Sequence, residues 1–408
     1  MRIATLQFAP KLGDLEGNIR RANEILDRGK VLKAEFGGAV KSIAIETERL
    51  RPDVLVLPEL ALTGYNFPSL DAIKPHLEPA GTGPSAEWAR QTAKRLGCKV
   101  CVGYPEIETN PNDDTEAPKY YNSLIVVNED GEVIHNYRKC FLYFTDDTWA
   151  AEGNVERGFH ELEFRSRDAQ RKSGAATDLV GDIRRGDNLS GEENNVRAGT
   201  SAPSVQESGS EHKKVATSFG ICMDINPYKF EAPYSAFEFA SRIMDSRSQL
   251  VILSMAWLTM HSRDALAALN EDPDMDTFSY WLQRFMPLLE KEMQHARNLD
   301  DEHDVETTAA GSLNSKPKEK QVVIVFANRA GEEPAADDTK PPALYAGTSA
   351  VVAVTQRAGS GSREGAQAGA QMDVKILCWD QLGAQEEGIC FADTTADPKM
   401  VFGLRSAE

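Results

Sequence analysis

The sequence predicts an α/β fold, because strand-like segments alternate with segments of helical periodicity along most of the chain. The strand-like segments are short, apolar and rich in β-branched residues, which favours strands over buried helices. They begin at Arg2, Val54, Lys99, Asn122, Val133, Lys214, Leu250, Gln321, Thr348 and Val374. The sequence has no short-period repeat, which argues against a solenoid.

Three segments have the spacing of amphipathic helices. Apolar residues recur at helical intervals in residues 15–26 and again in residues 237–244. A third helix is predicted over residues 277–295. Because proline lacks the amide hydrogen that a helix interior needs, this third helix should bend or break near Pro287.

The chain is expected to form a single domain over residues 1–408, interrupted by three polar segments. These segments cover about residues 165–213, 298–320 and 356–370, and they contain few large apolar residues. They cannot bury enough apolar surface to offset an ordering entropy of roughly 1–2 kcal/mol per residue. We therefore predict that they are surface insertions or disordered loops.

The charge balance of the chain argues against two classes of partner. The 408 residues include 63 acidic and 45 basic side chains, which give a formal net charge of -18. Nucleic acids and anionic membrane surfaces repel such a chain, so neither is expected as a partner. The sequence has no apolar run close to the ~20 residues of a membrane-spanning helix, and its start lacks the features of a signal peptide.

The cysteines indicate a reducing compartment. All six are widely spaced and lie in apolar segments, which is not the pattern of a disulfide framework. Cys98 and Cys101 have the spacing of half a zinc site, but no second pair or histidine cluster completes it. A cytoplasmic protein without a bound metal is therefore predicted.

Three reactive side chains each follow an apolar strand-like segment. Glu59 follows VLVLP, Lys139 follows VIHNYR, and Cys222 follows VATSFGI. Because ligand sites of α/β sheets gather at the carboxyl ends of strands, the three side chains are expected to share one cleft. Each residue taken alone also fits a structural role, as a salt-bridge partner, a solvated strand end or a small core residue.

The segments around these residues resemble the nitrilase superfamily of carbon–nitrogen hydrolases. The resemblance rests on PELALTGY around Glu59, YRKCFLYFTDDTW around Lys139 and FGICMDINPY around Cys222. It is supported by IATLQFAPKLGDLEGNI at the start, FANRAGEE from Phe326 and YAGTSAVV from Tyr345. It implies a four-layer α–β–β–α sandwich, in which two sheets pack face to face between outer helices. Many members form dimers or larger assemblies, and the oligomeric state of this protein stays open.

The resemblance also implies roles for the three residues. Cys222 would be the nucleophile and Glu59 the general base. Lys139, together with the backbone N–H of Met223, would stabilise the tetrahedral intermediate. This chemistry needs no metal or organic cofactor.

A second carboxylate is expected shortly after the lysine, because sites of this superfamily commonly hold one there. Asp147 lies eight residues beyond Lys139 and is the first candidate. Its side chain is shorter than the glutamate that is usual in the superfamily. Asp146 and Glu152 are the alternatives.

Three further segments are similar to the branch formed by fungal amidases that deamidate amino-terminal Asn and Gln. They are NPYKF after the cysteine, TDDTWAAEG after the lysine and TGYNFPSL after the glutamate. The resemblance implies an amidase that converts amino-terminal Asn and Gln of proteins or peptides to Asp and Glu, with release of ammonia. The alternatives are an amidase, nitrilase or carbamoylase of small molecules, and a non-catalytic binding scaffold.

An amino-terminal Asn or Gln also carries a cationic α-amino group, which a carboxylate near the reacting carbon would bind. Asp224 is the first candidate for this contact and Asn226 a weaker one. Asp224 fits equally well as the cap of the turn that follows Cys222. Trp149 and Trp257 are candidates for the walls of the cleft, although core packing also explains them.

Overall fold

The computed structural model describes residues 1–36, 39–110, 112–113, 115–165, 212–269, 271–294, 319–335, 339–357 and 372–403. They fall into two units, Met1–His160 with Ala216–Glu408, and Glu161–Val215. The polar segments predicted at about 165–213, 298–320 and 356–370 lie outside the described residues, apart from a few positions at their edges. The single-domain organisation stays a prediction.

The smaller unit is described only at residues 161–165 and 212–215. Within it, Lys214 Nζ lies 3.5 Å from a carboxylate oxygen of Glu163 and 3.9 Å from one of Glu161. All three side chains are exposed, so these ion pairs add little to stability.

Seven of the described strands form the first sheet. They are β1 (Arg2–Gln7), β4 (Val54–Val56), β5 (Glu78–Pro79), β6 (Lys99–Glu108), β7 (Lys119–Val127), β8 (Val133–Arg138) and β17 (Gly388–Asp393). The order is β17-β1-β4-β6-β7-β8, and β5 pairs with β6. Because β1, β4 and β6 run parallel, their carboxyl ends meet at one edge of the sheet.

Seven described strands also form the second sheet. They are β9 (Phe159–Arg165), β10 (His212–Ile221), β11 (Leu250–Met255), β12 (Lys320–Asn328), β15 (Ala350–Arg357), β16 (Asp373–Gln381) and β18 (Met400–Gly403). The order is β18-β16-β15-β12-β11-β10-β9, and β10, β11 and β12 run parallel. Two separate antiparallel pairs are β2 (Lys30–Phe36) with β3 (Ala39–Ile45) and β13 (Glu332–Glu333) with β14 (Ala343–Leu344).

The two sheets face each other and are joined by hydrogen bonds between buried groups. Ser254 Oγ in β11 donates to the carbonyl oxygen of Leu57, just beyond β4, at 2.9 Å. The amide of Ser349, just before β15, donates to Oε1 of Gln7 in β1 at 2.8 Å. These bonds satisfy polar groups that would otherwise be costly to bury between the sheets. They also place the ends of β4 and β11 next to each other.

Three helices are associated with the outer surface of the first sheet, namely α1 (Leu15–Arg28), α2 (Thr47–Leu50) and α4 (Pro84–Leu96). Leu26 of α1 and Trp88 of α4 belong to one buried cluster with Leu6 of β1. Gly97 ends α4 with a φ of 63°, a left-handed conformation that glycine adopts without steric cost. A further short helix is α3 (Leu70–Ile73).

The second sheet is covered by α5 (Glu238–Ser246), α7 (Met275–Gln283) and α8 (Met286–Glu290), and a short helix α6 (Arg263–Leu269) precedes α7. Phe326 of β12 lies under these helices. Its ring centroid is 5.0 Å from that of Trp281 and 5.9 Å from that of Phe285. The outer helices complete the α–β–β–α sandwich, which confirms the predicted fold.

The three predicted helices are confirmed, with changed bounds. The third is divided into α7 and α8, and the break precedes Pro287, which lies in the first turn of α8. The missing amide hydrogen of proline is tolerated there. α8 ends at Glu290, whereas the prediction extended to His295, which lies outside the described residues. The apolar pattern did not predict α4, although its first residue is a proline and a glycine follows its last residue.

Within the described parts of the chain, no helix is long and apolar enough to cross a membrane. The same residues contain no group of three or more His, Cys, Asp or Glu side chains that could hold a metal ion.

Candidate active site

Glu59 lies in the loop that leaves β4, at the junction of the two sheets. Its side chain is fully buried. Oε1 accepts hydrogen bonds from Lys139 Nζ at 2.6 Å and from Asn122 Nδ2 at 2.7 Å. Oε2 accepts from the amide of Ala256, just beyond β11, at 2.8 Å. Three donors therefore fix the carboxylate from both sheets.

A glycine in β6 makes room for the Glu59 loop. A Cβ added at Gly103 would lie 2.7–2.9 Å from backbone atoms of Pro58, Glu59 and Leu60. Real Cβ atoms do not approach backbone atoms so closely, so any side chain here would displace the loop. The absence of a side chain at Gly103 therefore lets the Glu59 loop pack directly against β6.

Lys139 directly follows β8 and is also fully buried. Its Nζ donates to Glu59 and, at 2.6 Å, to Oδ2 of Asp146. Burial alone would lower the pKa of Lys139, but the Asp146 and Glu59 carboxylates outweigh it and raise the pKa. The ammonium is therefore charged. Since an ammonium has three N–H donors and two are engaged, one is left for another acceptor.

The carboxylate beside Lys139 belongs to Asp146, and the prediction of Asp147 is wrong. Asp146 is fully buried, and its Oδ2 also accepts from the Tyr65 hydroxyl at 3.2 Å and the Tyr143 amide at 3.0 Å. Asp147 is exposed. The two residues occupy one turn of 3₁₀ helix, in which neighbouring side chains point in different directions. Glu152, the other alternative, is exposed too.

Asn122 in β7 connects the Glu59 and Asp146 carboxylates, a role that the sequence did not predict. Its Nδ2 donates to Oε1 of Glu59 at 2.7 Å and to Oδ1 of Asp146 at 2.9 Å. Its Oδ1 is buried and has no hydrogen-bond partner among the described residues. The Asn122 side-chain amide thus bridges the Glu59 and Asp146 carboxylates, and both of these accept from the Lys139 ammonium. The position of Asn122 early in a predicted strand gave no signal of this role.

Cys222 directly follows β10 and begins a 3₁₀ turn, Cys222–Ile225. Its φ of 42° is left-handed, which costs a residue other than glycine roughly 1–2 kcal/mol. Such strain is typical of functional positions. Burial raises the pKa of the thiol well above its usual range, and the Glu59 carboxylate raises it further. Lys139 and a hydrogen bond from the Ala256 amide oppose this rise in pKa.

The same electrostatic contacts place Cys222 in one cluster with Glu59 and Lys139, as the strand-end pattern predicted. Burial also raises the pKa of Glu59, while Lys139 lowers it and Asp146 raises it. A neutral thiol therefore lies beside a carboxylate that is a better base than an exposed glutamate. This combination suits transfer of the thiol proton to Glu59 as the sulfur attacks an electrophile.

The structure contradicts the prediction that Asp224 binds a substrate ammonium. Asp224 is fully buried, and its carboxylate accepts from the amides of Ile221, Cys140 and Phe141 at 2.7, 3.0 and 2.8 Å. It also accepts from the Tyr137 hydroxyl at 2.8 Å. These four donors use the available lone pairs. Asp224 instead fixes the turn at Cys222 against the segment that follows Lys139.

Asp224→Ala should therefore act mainly on folding. The substitution leaves several buried donors without an acceptor, and we expect the free energy of unfolding to fall by about 3 kcal/mol or more. Denaturant titration measures this change. Asp147→Ala is the matched control, because an exposed aspartate should change the free energy of unfolding by less than about 0.5 kcal/mol. Equal stabilities of the two variants would contradict the capping role.

The remaining candidates lie in or next to the turn and in the apolar layer around it. Met223 is the second residue of the 3₁₀ turn. Oδ1 of Asn226 accepts from the Tyr280 hydroxyl at 2.7 Å, so this oxygen already has a protein partner. The half-buried ring of Trp257 lies 5.7 Å from the ring of Tyr280.

Trp149 belongs to a buried cluster with Leu60, Tyr65 and Ala256. In this cluster the Tyr65 hydroxyl donates to Asp146, and the Ala256 amide donates to Glu59. Its Nε1–H is buried and has no partner among the described residues. A buried indole N–H usually finds an acceptor. The Trp149 side chain therefore offers an apolar ring and an N–H donor without a partner among the described residues. It remains a candidate for substrate contact.

The chain is similar to known proteins in sequence and in fold. A sequence model of the carbon–nitrogen hydrolase family matches residues 2–219. The protein N-terminal amidase of Saccharomyces cerevisiae is 29% identical over 344 residues, which cover 71% of this chain and 64% of the yeast protein. The chain therefore spans less than two thirds of that relative.

Solved structures of an N-terminal amidase share the fold. The complex with a Gln-Gly peptide has a TM-score of 0.59 and 23% identity, with coverage of 96% of each chain. The complex with an Asn-Glu-Ala peptide has a TM-score of 0.59 and 22% identity, covering 100% of this chain and 99% of that one. The family match extends over more than half of the 408 residues. The chain belongs to the carbon–nitrogen hydrolase family.

Proposed function

We propose that this protein hydrolyses the side-chain carboxamide of amino-terminal Asn and Gln in proteins or peptides, which yields Asp or Glu and ammonia. The observation that carries the proposal is the buried group of Glu59, Lys139 and Cys222. The Glu59 carboxylate accepts a hydrogen bond from the Lys139 ammonium and lies close enough to Cys222 to raise the pKa of its thiol. The named relative and the peptide complexes of the similar fold support the substrate class.

The first half of the reaction forms a thioester. Glu59 accepts the proton of Cys222 as Sγ attacks the carboxamide carbon, and the carbonyl oxygen becomes an oxyanion. The free N–H of the Lys139 ammonium and the backbone N–H of Met223 stabilise this oxyanion, each by about 3–4 kcal/mol. Glu59 returns its proton to the nitrogen, the carbon–nitrogen bond breaks, and ammonia leaves.

The second half of the reaction releases the product. Glu59 takes a proton from a water molecule that attacks the thioester carbon, and the same two donors stabilise the second oxyanion. The carbon–sulfur bond then breaks, and the sulfur regains a proton from Glu59. Apart from the substrate and this water molecule, every group in the proposed cycle is a side chain or backbone group of the protein, so the proposed steps call for neither a metal nor an organic cofactor.

We also propose that the protein acts in the cytoplasm. All six cysteines lie in described residues and are unpaired and buried, which suits a reducing compartment.

Conversion of an amino-terminal Asn or Gln to an acidic residue would change how degradation machinery recognises the substrate protein. The net charge of -18 supports a partner other than nucleic acid.

The proposal is tested with one Asn-initiated peptide in two forms, with a free and with an acetylated α-amine. Mass spectrometry and an ammonia assay follow the exchange of the amide for a carboxylate. We expect conversion of the free peptide alone. Equal conversion of both forms would show that the α-amine is not recognised and would favour a general amidase. Conversion of neither form would refute the proposal.

A further inference from the structure

Two phenylalanines are strongly exposed near the residues that hold Asp146. The side chains of Phe144 and Phe230 are 68% and 48% exposed. Their rings stack with centroids 6.0 Å apart, and the ring of Tyr143 lies 5.1 Å from Phe144 and 6.5 Å from Phe230. We call Tyr143, Phe144 and Phe230 the aromatic shelf. Contiguous apolar groups left in water are a common mark of an interaction site.

The backbone holds Phe230 on the shelf at a steric cost. Lys229 and Phe230 have φ values of 53° and 55°, so two consecutive residues with side chains are left-handed. Each such residue costs roughly 1–2 kcal/mol relative to the ordinary conformation. The amide of Phe230 donates to the carbonyl oxygen of Pro227 at 2.9 Å, which closes this tight loop. Strained backbone of this kind is concentrated at active sites and ligand-binding positions.

The shelf is continuous with the catalytic cluster. The amide of Tyr143 donates to Oδ2 of Asp146, the oxygen that also accepts from Lys139. The Tyr143 side chain is half-buried, while its neighbour Phe144 is exposed. Burial raises the pKa of the Tyr143 hydroxyl, and the nearby Cys222 raises it further. The shelf therefore extends from the neighbourhood of the nucleophile to solvent.

We propose that the aromatic shelf binds the side chain of the second residue of the substrate, with a preference for large apolar side chains. This inference rests on the proposed function. When the first residue places its carboxamide at Cys222, the rest of the peptide must leave the cleft. The Cα of the second residue lies only about 3.8 Å from the Cα of the first. A second side chain that leaves between Tyr143 and solvent meets Phe144 and Phe230.

The experiment compares two peptides that differ only in the second residue, Asn-Phe-Gly-Gly and Asn-Gly-Gly-Gly. For the wild-type protein we expect kcat/KM to be about tenfold higher with phenylalanine, chiefly through a lower KM. Phe144→Ala and Phe230→Ala should each reduce this ratio towards about one, because they remove the surface that distinguishes the two side chains. Phe159→Ala is the control, since Phe159 is an exposed phenylalanine outside the shelf.

The possible outcomes separate the two proposals. The shelf is refuted if wild type shows no preference for phenylalanine, or if Phe144→Ala and Phe230→Ala keep the wild-type ratio. It is also refuted if Phe159→Ala reduces the ratio as much as they do. If wild type releases ammonia from neither peptide, the proposed function itself fails, and the shelf loses its occupant. Thermal unfolding midpoints of all variants check that the fold is retained.

Discussion

Cys222→Ala is expected to lower kcat/KM for an Asn-initiated peptide by at least about 10⁴-fold, since it removes the proposed nucleophile. The alanine side chain is the smallest that keeps a Cβ in this buried turn, so the fold should persist. Initial rates of ammonia release measure the loss. Intact-mass spectrometry of the protein with substrate should detect an acyl adduct on wild type and none on the variant.

Cys101→Ala is the matched control for this substitution. Cys101 is a fully buried cysteine in β6, and burial raises the pKa of its thiol to about 12, so it is an inert core residue. We expect its kcat/KM to stay within about twofold of wild type, with a loss of roughly 1 kcal/mol in the free energy of unfolding. If Cys222→Ala kept more than about a tenth of wild-type activity, a nucleophilic role for Cys222 would be excluded.

Asp146→Asn should reduce kcat/KM by about 10²-fold, because it disturbs the position of the Lys139 ammonium. Among the described residues, the groups that contact the Asp146 carboxylate are donors, including Asn122 Nδ2, Lys139 Nζ and the Tyr143 amide. An asparagine offers one acceptor oxygen and one NH₂ group, so its NH₂ group would face another donor. Steady-state kinetics of the purified variants measure the effect.

The pH profile distinguishes an electrostatic role of Asp146 from a purely structural one. The Asp146 charge raises the pKa of Glu59, so its removal should lower that pKa. Glu59 must be deprotonated to act as a base, and a lower pKa keeps it deprotonated at lower pH. The acid limb of kcat/KM should therefore move to lower pH in Asp146→Asn.

Asp147→Asn is the control for this pair, since it neutralises the adjacent but exposed carboxylate. We expect near wild-type kcat/KM and an unchanged acid limb for this variant. A larger loss in Asp147→Asn than in Asp146→Asn would return the second carboxylate to Asp147 and contradict the geometry described above.

Glu59, Lys139 and Cys222 could be selected from the sequence because each follows an apolar strand and lies in a segment that resembles the nitrilase superfamily. Glu59, Lys139 and Cys222 each follow such a strand. The parallel order of β1, β4 and β6, and of β10, β11 and β12, brings strand ends together at the sheet edges. The apolar pattern of the strands therefore predicts that residues at their carboxyl ends lie close together, although it gives no distances between them.

The partners of these residues depend on contacts between distant segments. Asn122 reads as an ordinary strand residue, yet it lies between Glu59 and Asp146 because β7 pairs with β6 and β8. The Ala256 amide contacts Glu59 only because the two sheets meet face to face. Sequence separation gives no information on either contact.

The sequence by itself predicted an α/β protein from its apolar patterns. Its segments that resemble the nitrilase superfamily added the four-layer sandwich and the three reactive residues. Only the tertiary structure decided which of two adjacent aspartates, Asp146 or Asp147, faces Lys139. It likewise decided that Asp224 caps the turn at Cys222 and has no free lone pair for a substrate. The physical reason is the same in both cases. The direction and burial of a polar side chain are set by the donors packed around it, and those donors come from segments far apart in the chain.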